Sequence, residues 1–565
     1  MERNKIWQEL TQNPQVTVLI IGAGINGMAT FWDLALQGVD ALIVDRGDFC
    51  SGASSASSHM VHGGIRYLEN GEFRLVREAV GERNRLLQNA PQYVKPLATN
   101  VPIFRPFSGL LNAPLKFLGL MDRPAERGAV VIKAGLMMYD AYTGKHRTVP
   151  RHDFIGKREA LAKYPKLNRN ILSLATYYDA AMPSPERICV ELMLDAEREL
   201  PTARALNYVS AIAADDKTIT LRDELTGEKV AVTPHIVVNA AGPWIDYAND
   251  ALGQETHFIG GTKGSHLVLD HPELHAAIDG HEFFFENDDG RIVLIYPLLD
   301  KVMVGTSDIP IDDPDEARCT EEEVDYFFAL VKRVFPTINV DRSHIVFRFS
   351  GVRPLPASKA ASAGQISRDH SIELLEAGEN GRFYPIYNLI GGKWTTFRAF
   401  AEQAADQVLH HLGHRRQQST KPVAIGGGRD YPRTAAEQAQ WLTVWHDKTG
   451  VSKTRLRQLF DRYGTRAAEI ATFITQGDDA PLTHHPGYSQ REIIFLAQTE
   501  KVVHLDDLIL RRSLLGMLGE VTAGLVGELT AVVAPILHWD PARQQAEIAR
   551  TRSLLAERHG VILEE

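Results

Sequence analysis

The chain has 565 residues and a formal charge of −10 without any block of like charges, which argues against nucleic acid as a partner. That length exceeds what one hydrophobic core supports, so two or three structural units are expected. Its three cysteines, Cys50, Cys189 and Cys319, lack metal-like spacing, so neither a disulfide framework nor an iron–sulfur or zinc site is indicated, and a reducing cytoplasmic compartment fits.

Met1 to Lys5 lead into a polar stretch rather than an apolar signal core. Val16 to Ile21 is a short, β-branched apolar run, as expected of a strand buried on both faces of a parallel sheet. Gly22, Gly24 and Gly27 follow at the spacing that permits a tight turn, a close approach to pyrophosphate, and helix-on-strand packing. The helix reads from Met28 to Ala35, with Gly38 placed to end it. A second strand, Ala41 to Val44, delivers Asp45 about where a ribose hydroxyl acceptor belongs. Together these predict a dinucleotide site. The Gly47 to Ser58 stretch has a linker's composition, but its position at the carboxyl end of a parallel strand predicts a ligand-lining loop.

Glu69 to Asn89 carries a helical apolar stripe. From Pro91 to Pro150 proline, glycine and aromatics increase, and Phe104 to Met121 mixes apolar residues with Arg105 and Lys116. This suits either a core-facing segment or a membrane-surface contact. His235 to Trp244 is a buried strand running into a small-residue turn at Ala241 and Gly242. Thr262 to Asp270, Gly290 to Leu298 and Lys301 to Ser307 predict an antiparallel sheet. Asn388 to Lys393 repeats the strand-glycine logic before a helix at Trp394 to His411. Gly413 to Arg433, with Gly426-Gly427-Gly428, reads as a linker. Helical periodicity follows over Thr454 to Thr475, Leu505 to Ala534 and Asp540 to Arg558. Gly516 to Leu537 is the most apolar C-terminal stretch, but Glu520 and Glu528 argue against a membrane span.

Gly22 to Gly27, the segment Ser57-Ser58-His59-Met60-Val61-His62-Gly63-Gly64-Ile65-Arg66-Tyr67-Leu68-Glu69, and Gly391-Gly392-Lys393-Trp394-Thr395-Thr396-Phe397-Arg398 together resemble the FAD-dependent glycerol-3-phosphate dehydrogenase family. Gly305 to Asp308, Gly351 to Leu355, and Leu505 to Leu508 leading to Arg511-Arg512 extend the likeness. The sequence departs from the family pattern at Gln37, His59 and Phe397 and in a longer stretch near Arg105 to Arg127. A four-carbon polyol phosphate, such as erythritol or threitol phosphate, therefore stays open beside glycerol 3-phosphate, and an FAD amine or amino-acid oxidase is the competing class. The resemblance implies an α/β fold, with a Rossmann-like FAD-binding domain, an antiparallel-sheet substrate domain and a C-terminal all-α domain. We expect residues 1–90, 171–245 and 345–411 in the first, 91–170 and 246–344 in the second, and 412–565 in the third.

Oxidising a secondary alcohol needs a hydride acceptor, a base, and cations for phosphate and developing alkoxide. FAD is the implied acceptor, held by Gly22, Gly24, Gly27, Asp45, Ser57, Ser58, His62, Gly63, Gly64, Ala241, Gly242, Gly391, Gly392 and Lys393. Arg353, between Gly351 and Pro354, is the leading phosphate ligand because a planar fork binds bidentately. By resemblance Lys393, Arg66 and Tyr67 join it, and Thr306 is a further hydrogen-bonding candidate. His266 is the leading candidate base, ahead of His62, which fits better beside the flavin. No second nucleotide fingerprint or cysteine cluster suggests an NAD site or an iron–sulfur relay. By resemblance the acceptor is a membrane quinone, with oxygen as the alternative. A peripheral site on the inner face of the cell membrane and a homo-oligomer are both compatible with the sequence.

Overall fold

The computed structural model describes residues 3–64, 73–104, 136–137, 148–286, 292–357 and 369–564. The opening apolar run forms the strand Gln15–Ile21, which lies between Lys229–Asn239 and Ala41–Val44, all three parallel. Arg204–Leu206 and Ile386–Ile390 extend the parallel core, and Ser371–Leu375 adds an antiparallel edge. Alternate side chains of a strand point to opposite faces. Val18 and Ile20 accordingly pack with the helices Ile25–Leu36, Pro185–Glu199 and Phe397–His411. Leu19 and Ile21 pack on the other face against Ile6 and Leu10 of the helix Arg3–Gln12 and against Val209, Ile219 and Leu221. Each such buried aliphatic side chain contributes about 1.5–3 kcal/mol relative to exposure. The helix Ile25–Leu36 stops where Gly38 adopts a left-handed φ of 73°.

Among the described residues a second sheet has ten strands. Its centre is antiparallel: Ile345–Arg353, Thr262–Leu269, Lys301–Gly305, Ile292–Leu298 and Glu282–Glu286 pair in that order. Glu282–Glu286 then runs parallel to Lys95–Ile103, which pairs antiparallel with Ser173–Ala181. The β-rich runs expected after residue 260 are thus neighbours in one sheet. One face is covered by the helices Pro272–Ile278 and Glu321–Val334, through Leu274, Val324, Phe327 and Val331. On the other face Tyr296, Met303, Phe347 and Phe349 meet the C-terminal helices. Two strands within the segments expected to belong to the nucleotide unit, Ser173–Ala181 and Ile345–Arg353, pair in this second sheet. The chain crosses between the sheets more often than composition reveals.

The C-terminal region is helical, as expected, but more broken than its periodicity suggests. Lys453–Tyr463 and Ala467–Ile474 are separated by a tight turn at Gly464. Leu505 to Ala534 is a short helical turn, a widened turn at Leu508–Arg512, and then the helix Ala523–Leu537. Gly426–Gly428 is not a loose linker. Gly427 and Gly428 are buried, and a Cβ on Gly427 would stand 1.8 Å from the Tyr463 carbonyl oxygen. The glycines are there for close backbone contact, which composition cannot distinguish from flexibility. Among the described residues no helix is long and apolar enough to cross a membrane. Apart from Phe104, the Phe104 to Met121 stretch lies outside the described residues, as do Arg66 and Tyr67.

Candidate active site

The glycine turn closes at the carboxyl end of the first strand. The Gly22 N–H donates to the Val44 carbonyl at 2.8 Å, and Gly22 has φ 101°. A Cβ there would lie 2.7 Å from the Ala240 carbonyl oxygen, so the turn admits only glycine. Gly27 lies so close to Gly22 that a Cβ would stand 1.9 Å from its carbonyl oxygen, which brings the helix start onto the strand. Gly24 begins the helix, and the Ile25 N–H donates to Ser54 Oγ at 3.0 Å. Asp45 accepts from the Ala23 and Gly47 N–H groups at 2.7 and 2.9 Å. Burial pushes its carboxyl up to about 6, against the pull of those two N–H groups.

Three distant segments meet at this turn. Asn26 Nδ2 donates to the Gly391 carbonyl at 3.1 Å, Trp394 Nε1 to Ser54 at 2.9 Å, and Thr395 Oγ1 to His62 at 3.0 Å. Gly391 and Gly392 have φ 74° and 96°, and a Cβ on Gly392 would strike Asn26. The Gly63 N–H donates at 2.8 Å to Asp179, which the buried Arg83 holds at 3.1 Å, and Gly64 turns the chain with φ 74°. Ser57 Oγ accepts from the His59 N–H at 3.2 Å. The Ala241 N–H donates to Asn239 Oδ1 at 3.2 Å, ahead of Gly242 with φ 59°. Lys393 is half-buried within electrostatic reach of Glu78 and His370.

A second constellation sits on the neighbouring sheet. His266 pairs with Gly305 on one side and Phe349 on the other. Its ring stacks on Phe349 at 4.9 Å with the planes 11° apart, and it leans over Gly305, where a Cβ would lie 2.2 Å from Cδ2. Ser58 Oγ is 2.9 Å from His266 Nε2. Burial, then the charges of Arg353 and His59, hold the imidazole well below its usual pKa, so it is neutral at pH 7. Arg353 donates to Asp308 at 3.1 Å, to Thr306 Oγ1 at 2.9 Å and to the Ser307 carbonyl at 3.0 Å. The turn beneath is fixed by Glu323, which accepts from Lys263 Nζ at 2.8 Å and from Ser307 Oγ at 2.5 Å. Ala56 joins the two constellations, because a Cβ on Gly351 would meet it at 2.5 Å.

Residues 17–407 match the model of the FAD dependent oxidoreductase family, and 418–544 match the C-terminal domain of alpha-glycerophosphate oxidase. A glycerol-3-phosphate dehydrogenase from Synechocystis sp. is 32% identical over 534 residues, 90% of each chain. The protein belongs to the FAD-dependent glycerol-3-phosphate dehydrogenase family. Another relative with that name, from Pseudomonas tolaasii, is 30% identical over 88% of this chain and 92% of its own. The solved glycerol-3-phosphate dehydrogenase from Bacillus halodurans, complexed with FAD, shares the fold with a TM-score of 0.74 at 22% identity, over 98% of this chain and 97% of that one.

FAD is the cofactor of this family, and the nucleotide turn fits it. The N-terminus of Ile25–Leu36 offers N–H groups to phosphate, and among the described residues Asn26 Oδ1 is buried without a hydrogen-bond partner. Of the segments expected to share one crevice, Gly22 to Gly27, His62 to Glu69 and Gly391 to Lys393, the described parts are linked by the Asn26–Gly391 and Thr395–His62 hydrogen bonds, and 65–69 lie outside the described residues. Sequence reasoning missed Ser54, Phe349, Asp308 and Glu323. Asp308 stood in plain view within Gly305 to Asp308, beside Thr306. Phe349 had no local signal, because only strand register brings it to His266.

Proposed function

We propose that the protein oxidises sn-glycerol 3-phosphate to dihydroxyacetone phosphate with FAD and passes the electrons to a quinone while docked peripherally on the inner face of the cell membrane. The observation that carries this reading is the Arg353 fork, oriented by Asp308 and Thr306 just beyond the strand Lys301–Gly305, which pairs with the strand that holds a neutral His266. Bound FAD supplies the hydride acceptor. Arg353 pairs with the substrate phosphate, Thr306 hydrogen-bonds substrate, and the family resemblance adds Lys393, Arg66 and Tyr67 as further substrate-binding residues. His266 takes up the hydroxyl proton, since it is uncharged at working pH. The family's activity supports glycerol 3-phosphate over longer polyol phosphates. Relatives called dehydrogenases support an acceptor other than oxygen, while the C-terminal match to an oxidase domain makes oxygen the control.

The test is anaerobic flavin bleaching by glycerol 3-phosphate, erythritol phosphate, threitol phosphate and amino acids, followed by reoxidation with a soluble quinone analogue or oxygen. Fast bleaching by glycerol 3-phosphate is expected. Bleaching by amino acids alone would overturn the reading. Arg353→Lys should raise KM about tenfold or more while flavin stays bound, because a point charge cannot replace a bidentate fork. An unchanged KM removes Arg353 from the phosphate site.

A further inference from the structure

Arg46, the residue after Asp45, forks onto Asp315 from 269 positions away, with Nη1 donating to Oδ2 at 3.1 Å and Nη2 to Oδ1. The Trp244 indole Nε1 donates to the same carboxylate at 3.1 Å, and the Arg46 guanidinium lies over the Trp244 ring, 4.7 Å from its centroid. Guanidinium, indole and carboxylate thus close a triangle in which each member touches the other two. Asp315 is held in place for this: its N–H donates to Asp313 Oδ1 at 2.9 Å, and its carbonyl accepts from Arg318 Nη1 at 2.9 Å.

Two corners of the triangle grow out of the walls of the FAD site. Asp45, one residue before Arg46, accepts from the Ala23 N–H inside the glycine turn. Trp244 ends the helical turn Gly242–Trp244, shortly after Ala240, whose carbonyl lies against Gly22. Its ring also covers Gly52, where a Cβ would meet it at 2.9 Å, and Gly52 belongs to the loop whose Ser54 holds the start of the nucleotide helix. The third corner comes from elsewhere. Asp315 sits on the turn Pro314–Glu316, which precedes the helix Glu321–Val334 packed on the second sheet. Arg46 and Asp315 are half-exposed, and an isolated surface ion pair adds little to stability. This one is bidentate, stacked on an indole, and spans two structural units.

We propose that Arg46, Trp244 and Asp315 form a clasp that retains FAD, fastening the Asp45 side of the cofactor site to the unit built on the second sheet. The inference needs the family's cofactor and holds whatever the substrate or the electron acceptor.

The test follows FAD release from the holoenzyme as the rise in flavin fluorescence after dilution into flavin-free buffer. Arg46→Ala and Asp315→Asn should each release FAD about three- to tenfold faster than the wild type, and the double variant no faster than the quicker single one, because either change opens the same clasp. Arg46→Lys keeps one charged contact and should recover part of the loss. Raising salt from about 0.05 M to about 0.5 M should accelerate release from the wild type more than from Asp315→Asn, which has no ion pair there to screen. Wild-type release by either single variant, additive acceleration in the double variant, no recovery by Arg46→Lys, or an equal salt response would each overturn the clasp.

Discussion

Glycines govern this site through the side chains they leave room for. Arg353 lies across Gly264, and a methyl there would stand 2.3 Å from its Nη2. Because the obstacle is the far end of a flexible side chain, Gly264→Ala should fold normally but swing the fork off Thr306 and Asp308. Charged hydrogen bonds of this kind are worth about 1.5–3 kcal/mol, so KM for the polyol phosphate should rise about ten- to hundredfold with flavin content intact. Titration kinetics alongside the flavin absorbance ratio check it, and a normal KM refutes it. Gly22→Ala should do the opposite, because its methyl meets a backbone carbonyl at φ 101° and the strain costs about 1–3 kcal/mol. The purified variant should emerge depleted of FAD, and full flavin occupancy would contradict this. The two glycines differ in legibility. Gly22 announces itself through its neighbours in sequence, whereas Gly264 matters only because strand register brings it opposite Gly351 and under Arg353.

At the level of elements, what could be read from sequence was whatever is encoded locally. The strand-turn-helix-strand of residues 15–45 and the antiparallel strands after residue 260 follow from hydrophobic periods of 2 and 3.6. Pairing across long separations did not show, which is why Gly426–Gly428 looked like a linker and Ser173–Ala181 like part of the nucleotide unit. The contact between Glu282–Glu286 and Lys95–Ile103 is another hidden pairing, and it buries Glu282 against Thr99, whose hydroxyl donates to it at 2.7 Å. Burial pushes the Glu282 carboxyl up to about 8 from its ordinary 4.5, outweighing the Thr99 hydrogen bond. The folded protein therefore holds a proton that the unfolded chain releases. Its contribution to stability is full below the unfolded value and is lost as pH rises through the folded one, at up to about 1.4 kcal/mol per pH unit. Glu282→Gln removes that titration. Its melting temperature should gain on the wild type between about pH 5 and about pH 8, and parallel profiles would refute the assignment.

Across the whole molecule, buried charge ties the C-terminal helices to the nucleotide unit. Arg511 and Arg512 reach Asp48, three residues beyond Asp45, at 2.5 and 2.7 Å. Arg466 binds Glu191 and Asp195 of the helix Pro185–Glu199 at 2.6 and 2.9 Å, and Glu500 pairs with Arg187 of the same helix. Burial alone would raise the Asp48 carboxyl, but the two arginines hold it well below the usual carboxylate range. Its contribution is thus full above its unfolded value of 3.8 and is lost only as pH falls through the depressed value. At neutral pH, Asp48→Asn leaves two buried guanidiniums short of a counter-charge, at a cost of about 3–5 kcal/mol. Because Asp48 also sits on the loop that carries Ser54, we expect the C-terminal unit to steady the active site, although none of the bonds described within the site comes from it. We expect wild-type holoenzyme to melt in one calorimetric transition, and Asp48→Asn to melt a few degrees lower at pH 7 with weaker FAD retention. Two separate transitions in the wild type, or an Asp48→Asn variant with unchanged melting and flavin retention, would show that the helical region is an appendage and not a support for the site.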